Sequence, residues 1–156
     1  NISNTCKQGG STIPMSLDGF KNIGTPWIRV GEVEIGVKEG DPQILEYHKV
    51  LNLTPNKDTL TKWCGIYVGY CVKTAGFEPP AYCASARSWL RWGVKILVPA
   101  FGCIAVFKRD NNPESGHVCF LLGEEGDNYI VLGGNQGDKV CVSKFPKKDL
   151  LSLRWL

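Results

Sequence analysis

Apolar and polar positions change their rhythm twice along the chain. Residues 1–26 are rich in Asn, Ser, Thr and Gly with scattered apolar positions, and read as an extended arm or linker. A compact domain over 27–156 is expected to start near Pro26-Trp27. Ile28, Val30, Val33, Ile35 and Val37 suggest a short amphipathic helix. Asp41-Pro42 then reads as an N-cap with proline at the first helical position, followed by Ile44, Leu45, Tyr47, His48 and Leu51 at helical spacing. Pro55-Asn56-Lys57-Asp58 reads as a loop. In the next helix Cys64, Val68, Cys71, Val72 and Ala75 fall on one face and Gly76 is placed to end it, with Thr61 or Lys62 before its first turn. Gly65 and Gly69 each weaken this helix by about 1 kcal/mol relative to alanine. Close approach of a backbone or a substrate, or plain helix–sheet packing, would explain them.

After Glu78-Pro79-Pro80 a helix is expected around Ser85 to Trp92, ending at Gly93. The rhythm then turns to β-rich runs separated by Gly, Asp, Asn and Pro: Cys103 to Phe107, His117 to Leu122, Tyr129 to Leu132 and Val140 to Ser143. Helices first and an antiparallel sheet afterwards give an α+β domain.

A chain of 156 residues suits one domain with its own core. The formal net charge of +3 is spread along the sequence, so no basic stripe argues for nucleic acid. A mild positive balance suits an anionic polymer. No run of roughly 18 apolar residues could span a bilayer, and Asn1 opens no stretch of signal-peptide character, so no membrane role is expected. Seven cysteines is an odd number, which leaves at least one thiol free, and Cys64 is the first choice for it. Cys6, Cys71, Cys83, Cys103, Cys119 and Cys141 lack the C-x-x-C pairs of zinc sites, so neither a metal nor another cofactor is expected. Most look like core fillers; a disulfide such as Cys71–Cys83 is open.

Cys64 heads the apolar run Trp63 to Val68, at a predicted helix N-terminus where unpaired N–H groups and the helix dipole favour a thiolate of lowered pKa. His117 follows a glycine at the start of a strand and can act as a base near neutral pH. The only other histidine, His48, lies on a predicted helix. Leu132-Gly133-Gly134-Asn135-Gln136 ends a strand in a tight turn and offers Asn135 to orient the imidazole, although the same residues read equally well as hairpin chemistry. Cys, His and Asn in that order suggest acyl transfer through a thioester. Should Asn135 be only a turn-former, Gln136 and Asp138 are next in line.

Trp63-Cys64-Gly65-Ile66-Tyr67-Val68, the segment Ala86 to Gly93, Gly116-His117-Val118, Leu132 to Gln136 and the closing Leu153-Arg154-Trp155 resemble a bacterial and phage family of cell-wall hydrolases. That family is CHAP-like, within the NlpC/P60 group of papain-like peptidoglycan amidases and endopeptidases, and the resemblance covers roughly residues 27–156. It departs from the family at Gly65, where alanine is usual, and at Tyr67-Val68-Gly69, where an aromatic plus Val-Asn is usual. The resemblance implies a papain-like fold with N-terminal helices packed on an antiparallel sheet, and a catalytic set of Cys64, His117 and Asn135. It implies a secreted, periplasmic or wall-delivered hydrolase that cuts an amide of the wall peptide. Trp63, Gly65, Arg87, Trp89 and Gly116 are the expected substrate-binding positions. Trp89 and Arg87 also fit a plain core tryptophan and a solvated arginine, while Trp27 and Trp155 read as structural. The expected partners are peptidoglycan and, for a toxin, an inhibitor or immunity protein. Two rivals fit the same residues: an inactive wall-binding module, and a cysteine protease or acyltransferase effector acting on protein.

Overall fold

The computed structural model describes residues 24–156, so nearly all of the arm expected over residues 1–26 lies outside the described residues. Helix α1 (Pro26–Glu32) is shorter than the apolar spacing suggests. Val33 to Val37 turn away as a bend closed by Glu34 N–H on the Gly31 carbonyl and Val37 N–H on the Glu34 carbonyl. Helix α2 (Pro42–Val50) starts where Asp41-Pro42 places it. The stretch expected as a loop holds a five-residue helix, α3 (Lys57–Thr61), because Asn56 and Thr59 form a reciprocal capping box that nucleates one turn. Helix α4 (Cys64–Thr74) follows with Trp63 as its N-cap residue, and Gly76 sits beyond its end at φ +96°, a conformation that favours glycine.

Six strands follow: β1 (Val94–Ile96), β2 (Ile104–Lys108), β3 (Gly116–Glu125), β4 (Asn128–Gly133), β5 (Cys141–Pro146) and β6 (Leu150–Trp155). They form one antiparallel sheet in the order β1-β6-β2-β3-β4-β5. The fold is therefore α+β, with N-terminal helices packed on a six-stranded antiparallel sheet. The segment before β1, expected as a helix, is a 3-10 helix (Ala86–Arg91).

Alternation along β3 sorts the core into two layers. Val118, Phe120 and Leu122 pack with Ile66, Tyr67 and Val68 of α4, whereas Cys119 and Leu121 pack with Phe107, Tyr129 and Phe145 on the other face. Helix α4 is enclosed over most of its length, from Cys64 to Gly69 and again at Cys71 and Val72. Its glycines are explained by backbone contact: a methyl group on Gly65 would overlap the carbonyl oxygen of Cys83, and one on Gly69 would press on the Cys83 sulfur at 2.9 Å. The 83–84 segment thus lies directly on the helix, which leaves no room for a substrate at Gly65. Trp27 and Trp155 meet edge to face at 5.6 Å, and the Trp27 indole N–H donates to the Gly102 carbonyl, a structural pair.

No helix among the described residues is long and apolar enough to cross a membrane.

Candidate active site

Strand β3 is paired with β2 from Gly116 onwards, but its pairing with β4 runs only as far as Phe120↔Leu132. Beyond that point β4 turns away through Gly133 and Gly134, and the first turn of α4 fills the notch. Gly134 permits this: a Cβ there would lie 2.6 Å from Cβ of Tyr67 and 2.9 Å from the Trp63 ring. The Cys64 sulfur consequently faces three backbone N–H groups, those of Cys64 and Gly65 in its own helix and that of Val118 in β3. His117, the residue beside Val118, stacks on Phe145 at a centroid distance of 4.6 Å and an interplanar angle of 6°.

The protonation of the imidazole follows from its neighbours. Gln136 Nε2 donates to the Cys141 carbonyl at 2.7 Å, which turns Gln136 Oε1 toward the histidine. That oxygen lies 2.8 Å from His117 Nε2 and can only accept, so the hydrogen of the neutral ring sits on Nε2. Nδ1 is left as a buried lone pair with no hydrogen-bond partner. The Cys64 sulfur thus meets β3 at Val118, the residue after His117, and no hydrogen bond joins the thiol to the imidazole.

Gln136, not Asn135, is the amide on the imidazole. Asn135 takes the left-handed turn conformation, φ +56°, and its Nδ2 donates to the Thr61 carbonyl at 2.9 Å. It ties the turn to the last turn of α3 and satisfies an end carbonyl that no residue further along the helix could reach. The left-handed residue reverses the direction of the chain, so its side chain and the next one point to different neighbours. Gln136 is the side chain that enters the sheet, 2% exposed.

Burial sets the electrostatics against the sequence expectation. Cys64 is 6% exposed and His117 1%. Desolvation pushes the Cys64 thiol above the usual cysteine range, outweighing the N–H of Val118, the charge of Arg109 and the helix N–H groups, all of which favour the thiolate. Desolvation likewise pushes the His117 imidazole down to about 4; the Gln136 hydrogen bond opposes this and Arg109 adds to it. The thiolate of lowered pKa expected at this helix terminus is thus not the resting state: thiol and imidazole are both neutral at pH 7.

Of the expected binding positions, Trp63 and Trp89 are fully enclosed, with indole N–H groups donating to Glu39 Oε1 at 3.3 Å and to the Cys83 carbonyl at 3.0 Å. They belong to the core and have no surface to offer a ligand. Arg87 is spent on structure: its Nε donates to the Ser115 carbonyl at 2.7 Å and its guanidinium to that of Asn112, clamping the loop that leads into β3. Gly116 lies against the Phe107 carbonyl, where a Cβ would come within 2.9 Å, so it serves the β2–β3 pairing next to His117. The position that sequence reasoning missed at the site is Arg109, whose charge reaches both Cys64 and His117. Register alone could have flagged it, because it follows the strand paired with His117.

Cys64, Cys71, Cys83, Cys103 and Cys119 are free and buried, which rules out the Cys71–Cys83 pairing; Cys141 is disulfide-bonded. Among the described residues no cluster of His, Cys, Asp and Glu could hold a metal ion. The chain finds no match among family models, curated proteins or solved structures.

Proposed function

We propose that the protein is a cysteine-dependent hydrolase that cleaves an amide of the peptidoglycan peptide, as an N-acetylmuramoyl-L-alanine amidase or an endopeptidase. The observation that carries this reading is the tautomer of His117: Gln136 holds its proton on Nε2 and leaves Nδ1 an unpartnered lone pair, on the residue before Val118, whose backbone N–H the Cys64 sulfur meets. The peptide wall as substrate rests on the resemblance of the Cys64, His117 and 132–136 segments to wall hydrolases.

In this reaction Nδ1 takes the Cys64 proton as the sulfur attacks the amide carbonyl. The charge that develops on the carbonyl oxygen is met by backbone N–H groups at the head of α4, that of Cys64 first. Nδ1–H then protonates the leaving amine as the C–N bond breaks, which leaves a thioester on Cys64 and a neutral imidazole. A water molecule, deprotonated by Nδ1, attacks the thioester; the acid product departs and the thiol is regenerated. Because the resting pair is neutral, proton transfer and attack are coupled rather than preceded by a stored ion pair.

Enclosure of both groups favours one rival, an inactive wall-binding module that keeps the fold. Digestion of purified sacculi followed by mass spectrometry of the released muropeptides tests the proposal and identifies the bond. Wild type is expected to release fragments, and Cys64→Ser to lose release by on the order of 1,000-fold or more with an unchanged circular dichroism spectrum. Equal release by Cys64→Ser sinks the nucleophile. No release by wild type, with Cys64 also inert to thiol reagents in the folded protein, favours the binding module. Cleavage of proteins but not of sacculi favours a protein-directed effector.

A further inference from the structure

Among the described residues Arg109 is a cation without a counter-ion, beside this site. It is the first residue after β2, and the register Phe107↔His117 and Lys108↔Gly116 puts it just past the start of β3, two positions from the residue opposite His117. Its backbone is pinned there, since Ser115 Oγ donates to the Arg109 carbonyl at 2.9 Å. Arg87 holds the opposite side of the same loop through the Ser115 and Asn112 carbonyls, so the loop is braced without using the Arg109 guanidinium. That guanidinium is partly buried and, among the described residues, pairs with no carboxylate and donates to no carbonyl. Its charge acts on the Cys64 thiol and the His117 imidazole alike, in keeping with its place in the register beside the start of β3.

A partly buried guanidinium normally finds a planar anion, because its fork of N–H donors matches a carboxylate in two parallel hydrogen bonds. A cation beside His117 also opposes the protonation of the general base, so it carries a cost unless an anion arrives with the substrate. We propose that Arg109 binds a substrate carboxylate next to the scissile amide and so makes the enzyme specific for wall peptides whose carboxylate is free rather than amidated. This inference rests on the hydrolase reading for its substrate class, but the binding itself does not require catalysis.

The test compares two ligands that differ only in this group, N-acetylmuramoyl-L-alanyl-D-glutamate and its D-isoglutamine counterpart, titrated calorimetrically against Cys64→Ser. The free acid is expected to bind roughly tenfold tighter or more. Adding Arg109→Gln should erase the preference, Arg109→Lys should restore part of it, and Lys148→Gln, which removes an exposed cation elsewhere, should leave it intact. If wild type turns over sacculi, the same preference should appear in KM rather than kcat when muropeptides with free and amidated carboxylates are assayed separately. Equal binding of the two ligands, or a preference that survives Arg109→Gln, overturns the proposal. A preference that depends on Arg109 in a protein that cleaves neither sacculi nor muropeptides leaves the carboxylate site standing and removes the hydrolase reading.

Discussion

His48 and His117 are equally enclosed, at 0% and 1% exposure, yet their surroundings prepare them for different work. His48 lies within α2 and its Nδ1 is 2.7 Å from the Ile44 carbonyl one turn back. A carbonyl only accepts, so this ring carries its proton on Nδ1 and its orphan lone pair on Nε2. His117 has the opposite tautomer, imposed by Gln136, and its orphan lone pair is on Nδ1. Both rings bury an unsatisfied nitrogen, and each such atom costs about 1–3 kcal/mol. His117, however, precedes Val118, whose backbone N–H meets the sulfur of Cys64 from another element. The difference teaches that burial and a free lone pair do not make a base; what the fold brings near the ring does.

The largest expected effect separates these two rings. His117→Gln should lower turnover about 100- to 10,000-fold, the range for losing a general base. His48→Gln should leave kcat nearly unchanged at low temperature and lower thermal stability instead, by about 1–3 kcal/mol. Parallel kinetics and melting curves decide. If the two variants lose activity alike, His117 has no special role.

Gln136→Ala sharpens the comparison, because it frees the His117 proton to move to Nδ1. A fall in kcat of roughly 10- to 100-fold is expected, as for loss of a group that orients a catalytic imidazole, with KM little changed. Asn135→Ala should do less: it breaks the link to Thr61 and puts alanine at positive φ, so a loss of about 1–2 kcal/mol of stability with normal turnover is expected. A reversed ranking would return the orienting role to Asn135.

These two neighbours also show where sequence reading stops. The helix at Cys64, the strands around His117 and the turn at 133–136 were legible, because periodicity and glycine placement are local signals. Helix α3 was missed because a capping box can nucleate a turn within a polar stretch. Strands β1 and β6 went undrawn: β1 has three residues, and the alternation of β6 is blurred by two leucines at its start. The choice between Asn135 and Gln136 depends on one left-handed residue, and no pattern of residue types encodes which side chain then enters the sheet. Nor could the sequence weigh a helix N-terminus against full desolvation, which reversed the expected direction for the thiol.

A further expected effect is on pH dependence. Burial depresses the folded His117 pKa to about 4, against roughly 6.5 in the unfolded chain. The unfolded state therefore takes up the proton first. This contribution to stability is present above the unfolded value and is lost as pH falls through that window, by roughly 3 kcal/mol in total. Denaturation midpoints at pH 7 and near pH 4 should differ less in His117→Gln than in wild type. The acid limb of kcat/KM should likewise lie near pH 4; a limb near 6.5 would mean that the imidazole opens to water before catalysis.

The tautomer itself is open to direct observation. Long-range proton–nitrogen correlation spectra of the folded protein at pH 7, with His117 assigned by substitution, report which ring nitrogen carries the hydrogen. The account predicts a neutral ring protonated on Nε2, shifting toward the Nδ1 form in Gln136→Ala. A neutral ring protonated on Nδ1, or an imidazolium at pH 7, would contradict it, because Nδ1 would then have no lone pair to take the Cys64 proton.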